Sequence, residues 1–179
     1  MGTSPDVWLN LQNTYDQKLI EIQQAKDFDE QAEIVRLIDY KYFIEVVGLP
    51  VTKAIKEKIA NLCGWFKVSD LRIMLTPDFL VNYRTGVSNV NEKNIINSKA
   101  WIQTAINFSH RIETKPYDAE KLKAYLPELR SMTVQSPEVF MPRMREIFAE
   151  CGVAFVLLPN LKNSGVNGAV KWINDERVV

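Results

Sequence analysis

A chain of 179 residues, 46% hydrophobic and 25% charged, has the balance of a globular protein of one ordinary domain or two small ones. Seven glycines and eight prolines exclude a low-complexity or collagen-like chain, and no apolar run comes near the roughly 18 residues a membrane span needs. Lys+Arg 22 against Asp+Glu 22 leaves no net charge, so the electrostatic footprint of a dedicated nucleic-acid binder is missing.

The balance hides a gradient. Residues 1–50 hold four basic and nine acidic side chains, residues 51–115 ten and five, and residues 116–179 eight of each. Opposite blocks can attract within one fold; a basic middle can also meet an acidic partner or a phosphate backbone.

Ser4-Pro5-Asp6 is a helix start: Ser as N-cap, Pro at the first helical position, an acid in the first turn. Trp8, Leu11, Tyr15, Leu19 and Ile22 then repeat at helical spacing, which predicts an amphipathic helix to about Gln24. Such a stripe needs cover, either from residues 28–62 of the same chain or from a second copy. Trp8, Leu11, Tyr15 and Leu19 are therefore the candidate dimer contact, and a homodimer is the expected state. Asp27 or Asp29 caps a second predicted helix from Glu30 to Val46, lined by Phe28, Ala32, Val35, Ile38, Tyr42 and Val46 and stopped by Gly48-Leu49-Pro50. Val51, Ile55, Ile59 and Leu62 mark a third helix ended by Gly64, and Ser69-Asp70 caps a short one over 71–75.

Residues 76–90 are polar and read as a loop, with a short strand around 79–83. Asn91 caps a long helix to about Arg111, expected to bury Ile95, Trp101, Ile102, Ala105 and Ile106. Asp118 caps another to about Ser131, interrupted near Pro127. Ser136-Pro137-Glu138 opens a further helix carrying Phe140, Met144, Ile147, Phe148 and Cys151 on one face. Pro142 conflicts with that start, so the regular helix is expected from Pro142 to Gly152. After Gly152 the period changes. Val153–Leu158 reads as a buried strand ended by Pro159, residues 163–168 as a turn, 169–173 as a second strand, Asn174-Asp175 as a tight turn and Arg177–Val179 as the start of a third strand. The reading is α+β, mainly α: a helical N-terminal and middle region with a small C-terminal antiparallel sheet. A strand stopping after two apolar residues suggests truncation.

Cys63 and Cys151 give neither a metal-ligand spacing nor a disulfide framework. They read as buried reduced thiols of a cytoplasmic protein. His110, the only histidine, falls near a helix C-terminus where a cationic ring suits the helix dipole. No catalytic, cofactor or metal residue is assigned.

Residues 2–12, Gly-Thr-Ser-Pro-Asp-Val-Trp-Leu-Asn-Leu-Gln, resemble the last helix of the XRE-type helix-turn-helix in HigA-like addiction-module antidotes, a likeness that holds over residues 2–15. The second half is similar to longer members of that group, which carry an ImmA/IrrE-type metallopeptidase-like domain. The matching residues are Tyr83-Arg84, Ala100-Trp101-Ile102, Pro116-Tyr117-Asp118, Leu126-Pro127-Glu128-Leu129-Arg130, Glu150-Cys151-Gly152-Val153 and Gly168-Ala169-Val170-Lys171-Trp172. The resemblance implies three parts: 1–26, the last helix of a truncated helix-turn-helix domain with its linker; 27–115, a helical middle region; 116–179, the start of an α+β ImmA/IrrE-like domain. It implies a fragment of a toxin–antitoxin transcriptional regulator that dimerises and holds a toxin protein or a ligand, with operator DNA reached only through a missing helix-turn-helix. The alternative is the scaffold of a zinc metallopeptidase that cleaves a repressor. Zinc would then belong to the full-length parent, whose His-Glu-x-x-His helix lies beyond Val179, and no cofactor to this chain. No membrane partner is implied.

Overall fold

The computed structural model describes residues 4–76, 82–85, 91–132, 134–173 and 177–179; for 82–85 and 177–178 it describes the backbone. The chain is mostly helical, and among the described residues the only strands are short and lie beyond residue 81. It forms two compact units, Met1–Ile73 and Met74–Val179.

In the first unit, α1 runs unbroken from Pro5 to Leu37. No glycine or proline interrupts residues 6–47, so nothing in the backbone forces the break expected near Gln24. The boundary expected at 26/27 falls inside this helix. Asp27, expected as a cap, sits in mid-helix instead, and Arg72 reaches it and Glu30 from outside at 2.7 and 3.0 Å. Ser4 holds the N-cap position with extended backbone, but its hydroxyl makes no capping bond; Pro5 and Asp6 make the start. Only the last part of α1 is buried, through Ala32, Ile34 and Val35.

The second predicted helix is thereby reduced to α2, Tyr40–Tyr42, which opens into a wider π-type turn over Phe43–Val47. Through this turn the inward face takes in Phe43 as well as Tyr42, which stays buried. Phe43 becomes fully buried, edge-on to Phe66 at 5.5 Å, while Phe28 is exposed. Gly48, left-handed at φ 84°, closes the turn. Next comes α3, Ile55–Phe66, which starts after an exposed Val51 and passes through Gly64 rather than stopping there. Burial of Phe66, worth about 1.5–3 kcal/mol, outweighs the roughly 1 kcal/mol cost of a helical glycine. Lys67 takes the left-handed cap instead. The predicted short helix is a 3-10 segment, Leu71–Leu75.

Arg72 ties this segment to α1. It bonds Asp70 through Nη2 at 2.5 Å as well as Asp27 and Glu30, so the basic middle block and the acidic first block do meet within one unit. The hydrogen bond from Arg72 holds the Asp70 carboxyl below its usual range. A carboxyl depressed in the folded state contributes stability above its unfolded pKa of about 3.9, and that stability is lost as pH falls through the folded value. Arg72→Gln should lower the urea midpoint at neutral pH and shrink its drop on acidification below about pH 4. An unchanged acid limb would show that the pair contributes nothing.

In the second unit, α4 spans Glu92–Ser109 and Asn91 caps it, as the sequence predicts; the cap is a reciprocal box with Asn94. Its most buried positions are Ile96, Asn97, Ala100, Ile102, Thr104 and Ser109; Ile95, Trp101 and Ala105 are only partly covered. The helix is enclosed on more than one face, which a single apolar stripe does not describe. Thr104 and Ser109 enter because their hydroxyls donate back to the carbonyls of Ala100 and Ile106, at 2.7 Å each.

Asp118 caps α5, Ala119–Met132, with Oδ1 accepting from Lys121 N at 2.9 Å. A further helix, α6, spans Pro137–Glu150. Neither is broken: Pro127 and Pro142 both lie inside regular helix, contrary to the expected interruption and late start. Both prolines face outward, where water can take the carbonyl each leaves unbonded. Met132, Ile147 and Cys151 form the core between α5 and α6, joined by Leu129, Phe140 and Met144. Glu128 bonds Arg143 Nε across the pair at 2.8 Å.

Strand β1, Asn82–Thr85, runs antiparallel to β2, Val166–Val170, pairing Asn82 with Val170 and Arg84 with Gly168. The hairpin β3–β4, Trp172–Ile173 with Arg177–Val178, is a second antiparallel pair. The predicted strand after the 163–168 turn thus begins earlier and breaks at Lys171. The Asn174-Asp175 turn and residues 79–81 lie outside the described residues. Val153–Leu158 is not a strand. Val153 makes one isolated bridge, and residues 154–160 continue without a ladder. Side-chain packing holds the run instead: Phe155 stacks on Phe148 of α6, centroids 5.1 Å apart.

Candidate functional site

Two features stand out, one in each unit. The first is the outer part of α1. Trp8, Leu11, Tyr15, Leu19 and Ile22 are 64, 55, 60, 47 and 65% exposed, so residues 28–62 do not cover the stripe. The spacing of 3, 4, 4 and 3 residues keeps these side chains on one face of a straight helix over about 21 Å. It also reads the same in both directions about Tyr15. Two copies brought together by a two-fold axis therefore oppose apolar to apolar throughout. Lys18 and Glu21, paired at 2.7 Å, lie beside the stripe.

The second is a cavity of about 490 Å³ in the second unit. The partly buried side of α4 forms one wall with Trp101, Ala105 and Ile106; the unpaired run 153–158 and β2 form others. Within this lining Ile102 and Ile106 pack against Trp101 and Ala169. Trp101 donates Nε1 to Pro159 O at 2.9 Å, which satisfies its one polar atom and leaves the ring apolar. The apolar run that periodicity assigns to a buried strand is this wall. Nothing in its composition distinguishes a strand in a ladder from an extended wall.

Close by, Gly152 is left-handed at φ 80°, and a Cβ there would lie 2.3 Å from Tyr117 Cα. This contact is further fixed by Asp118 N donating to Cys151 O at 3.1 Å. Tyr117 in turn meets Trp172 edge-on at 4.9 Å.

Of the single chemical candidates, His110 is the exposed C-cap of α4, as its place in the sequence implies. Cys151 is buried, but Cys63 is only partly covered, with Sγ 3.9 Å from Gln31 Oε1, so the reading of two buried thiols is corrected for Cys63. Burial pushes both thiols up, with the Asp70 charge adding to the effect at Cys63. Raised values mean little thiolate at neutral pH and slow alkylation. Cys63 should react with iodoacetamide more slowly than a free thiol yet faster than Cys151, read by mass spectrometry of the modified peptides. Faster labelling of Cys151 in the folded chain would contradict this. Among the described residues no group of three or more His, Cys, Asp or Glu side chains is placed to hold a metal. No described helix is long and apolar enough to cross a membrane.

No family model matches the chain, and neither the curated proteins nor the solved structures give a significant match.

Proposed function

We propose that this chain is part of an antidote-type transcriptional regulator of a toxin–antitoxin system, and that its task there is self-association and the holding of a partner. The observation that carries the reading is the exposed, two-fold-compatible stripe of α1, in the segment whose residues 2–15 resemble the closing helix of HigA-like antidotes. Five large side chains per copy, each about half exposed, gain roughly 1–2 kcal/mol apiece on burial. Association costs about 4–15 kcal/mol, which leaves a dimer in roughly the micromolar range. Regulators that read palindromic operators need an association of this kind.

The test is the particle size in solution. The parent chain should elute as a dimer at about 100 µM, and Trp8→Ala should shift it toward monomer, with its helical circular dichroism retained. A dimer that survives Trp8→Ala would remove α1 as the contact and with it the support for this reading.

A further inference from the structure

We infer that the run from Phe155 to Leu158 is a docking edge: it takes up an extended, apolar segment of a partner protein as an added strand, and alternate side chains of that segment enter the cavity beside it. The second unit alone carries this edge, independently of α1.

The backbone of the run is held at both ends and open between them. Val153 N donates to Phe148 O at 2.8 Å, which anchors the start to α6. Pro159 O accepts from Trp101 Nε1 at 2.9 Å, which anchors the end to α4. Residues 154–161 contain no helix, turn or bend, so the stretch is straight. From Phe155 to Leu158 neither the N–H nor the C=O of any residue bonds another described backbone group. Backbone groups are obligatory hydrogen-bonding groups, and a straight, unpaired stretch is a template for a further strand.

The side chains select what pairs there. Every residue from Val153 to Leu158 is apolar, with no charge or proline to block the edge. Val156 and Leu158 are half-covered and Leu157 is exposed. The run and β2 line the same partly open cavity of about 490 Å³, and Val170, on the β2 side of that lining, is exposed as well. Strand addition uses these two parts together: main-chain bonds give affinity, and pockets for alternate side chains give specificity. A small apolar molecule would satisfy the cavity and leave the backbone unpaired, whereas an apolar strand satisfies both.

The test is hydrogen exchange of the full chain, read by mass spectrometry, with and without capped hexapeptides that alternate Thr with Val, Leu or Phe. In the free chain the 155–158 amides should exchange at close to the unprotected rate, and a saturating peptide should slow them about tenfold or more. Paired strands bond through alternate residues. N-methylation of one alternate set of peptide residues should therefore weaken binding about tenfold or more, and methylation of the other set by no more than about threefold, read by fluorescence anisotropy. Trp8→Ala should bind the peptides as the parent does, which separates this edge from the α1 stripe. Slow 155–158 amides in the free chain, failure of all three peptides to bind, protection elsewhere than 155–158, equal binding of the two methylated forms, or loss of binding in Trp8→Ala would each overturn the assignment. Protection that rises with chain concentration in the absence of peptide would give the edge to a second copy of this chain and overturn it as well.

Discussion

Gly152→Ala is expected to destabilise the second unit by about 3–5 kcal/mol, enough to unfold much of it at room temperature. Two effects add. A non-glycine residue at φ 80° carries backbone strain of about 1–3 kcal/mol. The new methyl also meets Tyr117 Cα at 2.3 Å, Tyr117 N at 2.4 Å and Pro116 C at 2.6 Å. All three are backbone atoms, so no side-chain rotation relieves the clash. The 113–118 segment would have to move, breaking the bond from Asp118 N to Cys151 O and drawing Tyr117 away from Trp172. Thermal unfolding followed by near-ultraviolet circular dichroism reads the loss. A midpoint within a few degrees of the parent would mean that the 116–117 backbone is free to retreat.

Phe43→Ala should cost about 3–5 kcal/mol in the first unit, the usual range for emptying a phenylalanine site in a packed core. Phe43 is fully buried and edge-on to both Tyr42, at 5.4 Å, and Phe66. Phe43→Leu refills most of that volume and should cost less than half as much. Equal losses for the two variants would point to the ring contacts rather than the volume. A small loss for both would place Phe43 outside the core. Urea unfolding with intrinsic fluorescence as the probe distinguishes these results.

These two residues also mark where the sequence was legible and where it was not. The helix stop at Gly152 follows from its place after a periodic run. That the same glycine lies against Pro116 and Tyr117 does not, because a close approach between distant segments leaves no periodic trace. Phe43 was hidden for another reason. A helical period of 3.6 puts Tyr42 and Val46 on the inner face; Tyr42 is buried as expected, but Phe43, at the start of the wider turn, is buried too. The α4 start was plain, since Asn91 and Asn94 cap each other locally. The prolines misled because their cost depends on which side of the helix they face. Val153–Leu158 misled because an apolar run fixes neither pairing nor full burial: only Ala154 of the run is fully buried and Leu157 is exposed. Of the candidate site, the α1 stripe could be read directly from its spacing. The cavity could not, since its walls come from α4, Tyr117, α5, α6, the residues between 153 and 171, and Val179, brought together only by the fold.

The central claim is that α1 joins two copies of this chain through Trp8, Leu11, Tyr15 and Leu19. Sedimentation equilibrium of the full chain over about 1–200 µM tests it most directly, because a dimer held at roughly micromolar affinity must dissociate within that range. The account predicts a monomer–dimer equilibrium in the parent, and a monomer throughout when Leu11→Asp and Leu19→Asp are combined on the stripe. A parent that is monomeric at every concentration, or a dimer that persists in the doubly charged variant, would contradict it.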